Sequence, residues 1–346
     1  MTLFNLHTHT RFSDGSNEPI KYVEEAIRQG FHTLGFTDHA PVPFANTFAI
    51  CDQELEAYCE AITGLRTTND ERRATKQASG FVIARSEATK QSPFSPSEDL
   101  SLRAKRSNLL SKEQRSNRPS TEQRSNRPST EQRSNPLIIL LGLEVDYIPT
   151  LTTPLQFYRD NFPVDYLIGS VHLVKNGDKE KLWFIDGPEI GIYDHGLKDI
   201  FSGDAKAGVT AYYRQIQEMI RNEKPDIVGH LDKIKMYNRD RYFSESDDWY
   251  VTLVDKTLDL IKETGCIVEV NTRGIYKKRS DTLFPGPQIL KKIHRLNIPI
   301  TLTSDAHKPA EISNYFTEAR IMLMELGFKN QVLLTRNGWV ELPFAD

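Results

Sequence analysis

Along most of this chain, short runs of consecutive apolar residues alternate with stretches in which apolar positions recur every three to four residues. The runs Phe4–Leu6, Thr33–Thr37, Ile138–Glu144, Tyr166–Val171, Asp226–Gly229, Ile267–Val270 and Ile300–Thr303 read as strands covered on both faces. Helical periodicity covers Pro19–Gln29, Asp52–Leu65, Val209–Arg221, Ser246–Glu263, Pro287–Leu296 and Ala310–Leu326. The first helix is the best signposted. Ser16 or Asn17 can cap it, Pro19 suits its first turn, Val23, Ala26 and Ile27 form its apolar stripe, and Gly30 can take a left-handed stop. Strands alternating with helices call for a parallel sheet, and seven such units suit a closed or nearly closed α/β barrel. A doubly wound open sheet is the alternative.

One segment breaks the pattern. From Arg66 to Asn135, Ser, Arg, Gln, Asn, Thr and Glu dominate and the periodicity disappears. EQRSNRPST occurs at Glu113–Thr121 and again at Glu122–Thr130, followed by a truncated EQRSN at Glu131–Asn135, and RATKQ at Arg73–Gln77 is echoed by EATKQ at Glu87–Gln91. The nine-residue unit has no apolar side chain to bury against a neighbour, so disorder is a cheaper reading than a solenoid and a disordered insertion, 66–135, within a single domain spanning 1–346 is expected. The segment holds 15 of the 44 Lys and Arg but 8 of the 47 Asp and Glu, so the remainder is acidic, near −10. A basic arm for nucleic acid is one reading of it; a tolerated loop, cheap because closure entropy grows logarithmically with length, is the other.

The acidic remainder disfavours nucleic acid as a partner, and no apolar run is long enough for a bilayer. The start of the chain lacks the basic and apolar regions of a secretion signal, and Cys51, Cys59 and Cys266 form no paired spacing, so reduced thiols and the cytoplasm are expected.

Chemistry gathers at the strand ends. His7-Thr8-His9 ends the first strand, Asp38-His39 the second, Glu144 the third, His172 the fourth, His230 the fifth, and Asp305-Ala306-His307 the seventh. In a parallel barrel these ends share one rim, where active sites are assembled. Side chains repeat every two residues along a strand, so His7 and His9 can grip one cation from one side, and Asp305 and His307 repeat the spacing. Glu144 has two oxygens and can bridge ions; imidazoles with carboxylates suit Zn, Mn or Fe better than Mg. Asp14 is a turn residue in Asp14-Gly15 or a further ligand. Arg273, after the sixth strand, places a forked cation beside the cluster and implies an anionic substrate. His32, His195 and His294 fall outside the pattern.

In that order, the two histidines, Thr37-Asp38-His39, Glu144, Ser170-Val171-His172, Gly229-His230, Glu269-Val270-Asn271-Thr272-Arg273-Gly274 and Ser304-Asp305-Ala306-His307 resemble the PHP (polymerase and histidinol phosphatase) superfamily, and within it the PHP-type histidinol-phosphatases. The Phe284-Pro285 segment before a helix adds weaker support. The resemblance runs from Met1 to about Leu326 apart from the insertion. It implies a distorted (β/α)7 TIM-like barrel carrying two or three divalent ions at the C-terminal rim. His7, His9, Glu144 and Asp305 would hold the first ion, Glu144, His172 and His230 the second, and Asp14, His39 and His307 the third. Some relatives carry His in place of Asp14, which implies a weaker or exchangeable third ion. The implied reaction is hydrolysis of a phosphate monoester, L-histidinol phosphate, by a hydroxide generated between the ions, with Arg273 and Asp305 as catalytic residues. Trp183 and Asp186, with Phe184, are the candidate wall for the organic part of this small phosphorylated substrate. A phosphodiesterase or exonuclease, and a metal-bound module without activity, are the competing readings.

Overall fold

The computed structural model describes residues 2–67, 137–177 and 181–344. Its centre is a seven-stranded parallel sheet built from β1 (Leu3–Asn5), β2 (Phe31–Phe36), β3 (Ile138–Asp146), β4 (Tyr166–Ser170), β7 (Ile227–Val228), β8 (Ile267–Asn271) and β9 (Ile300–Thr303), in that spatial order. The outermost strands curl toward each other. Beyond their last residues the His9 N–H donates to the Ala306 carbonyl at 2.8 Å and the Ala306 N–H to the His7 carbonyl at 3.2 Å, closing the barrel at its C-terminal rim.

Alternation along the strands sorts the side chains into two environments. On β3, Ile139, Leu141, Leu143 and Val145 pack outward under the helices, whereas Leu140 points into the barrel with Ile168, Ile227 and Ile267. The interior is therefore apolar at its floor and carries polar residues toward the rim. Tyr166 crosses that floor to donate its hydroxyl to the Leu6 carbonyl at 2.6 Å.

The helices form the outer layer. α1 (Pro19–Gln29), α2 (55–67) and α3 (Leu155–Asn161) cover the first half of the sheet. α4 (Ile190–Phe201), α5 (Ala205–Glu223), α6 (Asp248–Thr264), α8 (Pro287–Leu296) and α9 (Phe316–Glu325) cover the second; α7 (Arg273–Tyr276) is a single turn at the rim. α1 starts at Pro19 and stops at Gly30, φ 76°, as its sequence demands. Its cap differs from expectation: Glu18 occupies the N-cap without a side-chain bond, because Ser16 is used elsewhere, joining the loop after β1 to the His307 carbonyl through its N–H at 2.9 Å and its hydroxyl at 3.1 Å. Ile27 is exposed, and Tyr22 takes its place in the buried stripe with Val23 and Ala26.

Two hairpins lie outside the β/α pattern. β5 (Leu173–Lys175) and β6 (Leu182–Phe184) form one beside the rim. β10 (Asn330–Thr335) and β11 (Gly338–Pro343) form the other, and Leu333 and Leu334 pack onto the barrel floor. Between Asp52 and Leu65 the expected helix begins as a 3-10 turn, Asp52–Glu54, and α2 continues to residue 67; the helix expected from Ala310 starts only at Phe316. The insertion expected at 66–135 lies outside the described residues except for its first two. The chain leaves the described residues after α2 and re-enters just before β3, at the end of the strands remote from Glu144. The three cysteines are unpaired, and no helix among the described residues is long and apolar enough to cross a membrane.

Candidate metal centre and substrate cavity

Each candidate ligand is held by a local structural cause. The loop after β1 is pinned by Asp38, which accepts from the Thr10 N–H at 2.7 Å, the Ser13 N–H at 3.1 Å and the Ser13 hydroxyl at 2.7 Å. Gly15 lets this loop fold back: a Cβ there would stand 2.0 Å from the His9 carbonyl oxygen. Asp14 is thereby carried over the rim. At the end of β9, Asp305 adopts φ +49°, a left-handed conformation that Asp tolerates better than most residues and that is frequent at functional sites.

These elements converge on Glu144, which is almost fully buried. One carboxylate oxygen lies 3.1 Å from His7 Nε2, 3.3 Å from His9 Nε2 and 3.3 Å from His39 Nδ1. The other lies 3.0 Å from His230 Nε2 and 3.7 Å from His172 Nε2, and accepts from the Ser170 hydroxyl at 2.6 Å. Asp305 Oδ1 stands 3.4 Å from His9 Nε2 and 3.9 Å from His7 Nε2. The structure thus brings together all nine residues expected as ligands. Three groups have ligating atoms close enough to share an ion: His7, His9 and Asp305; His39, Glu144 and His172; and His9, Asp14, His39 and His307.

The nitrogens themselves show that this cluster fits cations. His7 Nε2, both nitrogens of His9 and His39 Nδ1 are buried and make no hydrogen bond, although carboxylate oxygens lie near several of them. Buried polar atoms left without partners are costly, and a cation coordinated by several of them removes that cost. His172 and His230 face each other at 3.0 Å through their Nε2 atoms, an approach that requires a proton or an ion between two lone pairs.

A second layer of side chains fixes the rings, and reading the sequence missed it. Glu269 receives His7 Nδ1 in a very short contact, the His230 N–H at 2.7 Å and the Thr303 hydroxyl at 2.6 Å. Asp146 accepts from the His172 N–H at 2.9 Å and lies 3.1 Å from its Nδ1. Carboxylates behind imidazoles are what orients histidine ligands. Both sit on the inward parity of their strands, Asp146 two residues after Glu144, and that parity is the signal that could have found them.

The Asp14 corner is different. Arg273 Nη1 lies 2.7 Å from His307 Nδ1 and donates to the Asp305 carbonyl at 2.7 Å. With His307 Nδ1 accepting, its Nε2 carries the proton and donates to Asp14 at 3.0 Å. An ion held there must displace this proton.

Electrostatics follow from burial and charge. Burial opposes protonation of every ring, yet Glu269, Glu144 and Asp305 hold His7 well above the usual imidazole range, and nearby carboxylates hold His9 and His172 at about 9. Burial wins at His39 and His307, both pushed down to about 4, and lowers His230 with help from Lys233. Burial likewise opposes ionisation of Glu144 and Asp305, but the imidazoles facing them keep both carboxylates well below their usual range. Without cations, protons on His7, His9 and His172 therefore balance the carboxylates. These raised histidines stabilise the metal-free fold fully below the ordinary value near 6.5, and that contribution disappears as pH rises through about 9. We expect the melting temperature of chelator-treated protein to fall from pH 6.5 to 9.5 while that of zinc-loaded protein holds; parallel profiles would contradict this charge balance.

Over the cluster lies a cavity of about 260 Å³, lined among others by Phe48, Phe184, Asp186, Lys233, Arg273 and Arg279. Arg273 and Asp186, two of the residues expected at the substrate, are on the wall of this cavity. Trp183 is not: it is fully buried in the core under α4, with Nε1 donating to the Tyr193 carbonyl at 2.9 Å. Successive residues on β6 face opposite ways, so Phe184 takes the cavity side and Trp183 the core. Lys233 and Arg279 went unnoticed because a loop lysine or arginine carries no signal of its own.

A PHP domain model matches residues 5–273 of the chain. The chain belongs to the PHP domain family. This PHP domain is 25% identical over 323 residues to a Bacillus subtilis (strain 168) protein named histidinol-phosphatase, covering 88% of this chain and 94% of the relative. A solved chain from Listeria monocytogenes superimposes with a TM-score of 0.60 at 18% identity, covering 91% of this chain and 99% of that one. A histidinol phosphate phosphatase from Lactococcus lactis subsp. lactis, solved with zinc, L-histidinol and phosphate, gives a TM-score of 0.56 at 20% identity and covers 95% of each chain. At these identities the superpositions establish a common fold, the nearly closed seven-stranded barrel.

Proposed function

We propose that this PHP domain is a metal-dependent phosphomonoesterase whose substrate is L-histidinol phosphate, cleaved to L-histidinol and phosphate. The observation that carries this reading is the placing of fixed cations, Arg273 and Lys233, on the wall of the same small cavity whose floor is the imidazole and carboxylate cluster. A phosphate dianion needs such surroundings: catalysis of its transfer is mostly positioning and charge neutralisation. The names of the Bacillus subtilis relative and of the Lactococcus lactis chain, with its bound histidinol and phosphate, support the choice of ester.

In this reading His7, His9, Glu144 and Asp305 hold one ion and Glu144, His172 and His230 another, with Asp14, His39 and His307 at a third, exchangeable position. Zinc, manganese or iron suits these nitrogen and oxygen donors. Such ions, when bound, supply Lewis acidity and activate water. The chain's own residues do the rest. The Arg273 guanidinium makes its two short hydrogen bonds through Nη1, to the Asp305 carbonyl and to His307 Nδ1, with the Tyr276 hydroxyl 3.5 Å away, which braces it so that Nη2, without a hydrogen bond among the described residues, can take a phosphoryl oxygen. Asp305 orders the site in two directions: Oδ1 faces His7 and His9, just after β1, and Oδ2 faces Asn271 at 3.2 Å, Lys233 at 3.9 Å and Arg273 Nε at 4.0 Å. Phe48 and Phe184, ring centres 6.0 Å apart, supply an apolar wall for the alcohol.

The test is release of inorganic phosphate from L-histidinol phosphate by protein loaded with zinc or manganese, beside bis(4-nitrophenyl) phosphate and a short oligonucleotide. Turnover of the monoester should dominate. Faster cleavage of the diester or the oligonucleotide would overturn the reading, as would a fully loaded protein inert toward all phosphate esters.

A further inference from the structure

The barrel has a seam. β1 pairs with β2 and β9 with β8, and among the described residues no ladder joins β1 to β9. At the rim His7 and His9 meet Ala306 through the backbone, but at the level of the strands the join is made by a side chain. Asn5, the last residue of β1, is fully buried there. Its Oδ1 accepts from the His7 N–H at 3.0 Å and from the Ser304 N–H at 3.4 Å. Its Nδ2 donates to Ser304 Oγ at 2.8 Å and to the Ile312 carbonyl at 3.1 Å. A primary amide offers two N–H donors and an oxygen with two lone pairs, so its whole capacity is used. The partners also fix which way it faces, because two backbone N–H groups need its oxygen and a backbone carbonyl needs its nitrogen.

Those partners bracket the metal cluster. His7 lies on one side of the seam. On the other, Ser304 stands immediately before Asp305, where the backbone turns into the left-handed region at φ +49°. Ile312 ends the excursion that carries Asp305 and His307 over the rim. One amide thereby holds the backbone of His7 and the backbone leading into Asp305 at a fixed separation. Across that separation Asp305 Oδ1 faces His7 Nε2 at 3.9 Å and His9 Nε2 at 3.4 Å, and these three residues form one of the groups able to share an ion. Metal–ligand distances tolerate only a few tenths of an ångström, so slack at the seam is felt at the ion.

We propose that Asn5 is a positioning residue: its amide sets the spacing between His7 and Asp305, and with it the geometry of the ion that these two share with His9. The inference rests on the metal-dependent reading of the site and adds a residue to it. Asn5 is absent from the cavity wall, so it reaches the reaction through the ion and not through the substrate. Within the side chain the work is divided. Oδ1 alone holds both backbone N–H groups and does the positioning, whereas Nδ2 secures the loop through Ile312.

This division separates positioning from stability, and two variants of the full chain test it. Asn5→Ala removes both atoms. Asn5→Asp keeps the accepting oxygen, and the Ser304 hydroxyl can turn to donate to the second one, but a carboxylate oxygen then faces the Ile312 carbonyl without a proton between them. Each protein is loaded with cobalt(II), whose visible absorption reports coordination geometry, and its zinc affinity is measured by chelator competition. Asn5→Ala should alter the cobalt spectrum and weaken zinc binding by about tenfold to a hundredfold, the range for residues behind metal ligands. Its kcat for a phosphate monoester should fall by a similar factor with KM nearly unchanged. Asn5→Asp should melt below wild type yet keep the wild-type cobalt spectrum and most of the zinc affinity and kcat. Wild-type spectrum and affinity in Asn5→Ala would overturn the proposal. So would an Asn5→Asp protein whose spectrum and kcat decline together with its melting temperature, the mark of a purely structural residue; this variant decides the question if Asn5→Ala does not fold. Wild type that binds no cobalt would overturn the metal reading and the role of Asn5 with it. Wild type that binds cobalt and zinc but cleaves no monoester would overturn the phosphomonoesterase reading alone, and the spectra would still judge Asn5.

Discussion

Glu144→Gln is expected to lower kcat/KM for a phosphate monoester by about a thousandfold or more, equivalent to about 4 kcal/mol of transition-state stabilisation. Among the described residues no other side chain faces so much of the cluster. Its two oxygens lie between 3.0 and 3.7 Å from five imidazole nitrogens, contributed by the segments that follow β1, β2, β4 and β7. An amide keeps the volume but removes the charge, and it turns one oxygen into an N–H donor aimed at nitrogens that must themselves offer lone pairs to a cation. In the proposed scheme Glu144 is shared by two ions, so both metal positions should suffer together. The charge balance of the metal-free protein also fails, because His7, His9 and His172 hold their protons largely on account of carboxylates such as this one. Elemental analysis of the purified variant should show at least one ion fewer per chain, with an unaltered circular dichroism spectrum. Full metal content and ordinary turnover would show that Glu144 is not the shared ligand.

How far such a site can be read in advance depends on what each residue has to do. His7, His9, Asp305 and His307 were legible as candidate ligands because His, Asp and Glu recur at one rim, strand end after strand end. The helix Pro19–Gln29 was legible because Pro and Gly mark its ends with their own backbone limits. Trp183 and Phe184 were not separable, since two adjacent aromatic residues on an unrecognised strand differ only in parity, and the hairpin that fixes that parity pairs Val174 with Trp183 and Leu173 with Phe184. The β10–β11 hairpin was missed for a related reason: it lies outside the barrel repeat, and its role as a plug under Tyr166 depends on contacts distant in sequence. Lys233 and Asp186 are a pair only in space, 47 positions apart. Glu269 hid in an apolar run, where a carboxylate looks like an interruption and is in fact an anchor.

That anchor supports the second large effect. Removing the Glu269 carboxylate is expected to destabilise the protein by about 3–5 kcal/mol, the range for breaking a buried charged pair by deleting one partner. Glu269 is fully buried, so water cannot replace what is lost. In Glu269→Ala the Thr303 hydroxyl, the His230 N–H and His7 Nδ1 lose their acceptor together. The milder Glu269→Gln keeps one acceptor oxygen, so most of the fold should survive while the His7 ring loses the charge that fixes its proton on Nδ1 and its lone pair on Nε2. Zinc affinity of that variant, measured by chelator competition, should drop by about tenfold to a hundredfold, as other carboxylates behind histidine ligands predict. The residue is absent from the cavity wall. Its loss should therefore act through the metal: excess zinc should restore much of the activity of Glu269→Gln and very little of that of Glu144→Gln. Equal rescue of the two variants would mean that Glu269 touches the reaction directly, and a wild-type melting temperature for Glu269→Ala would mean that the three donors find other partners.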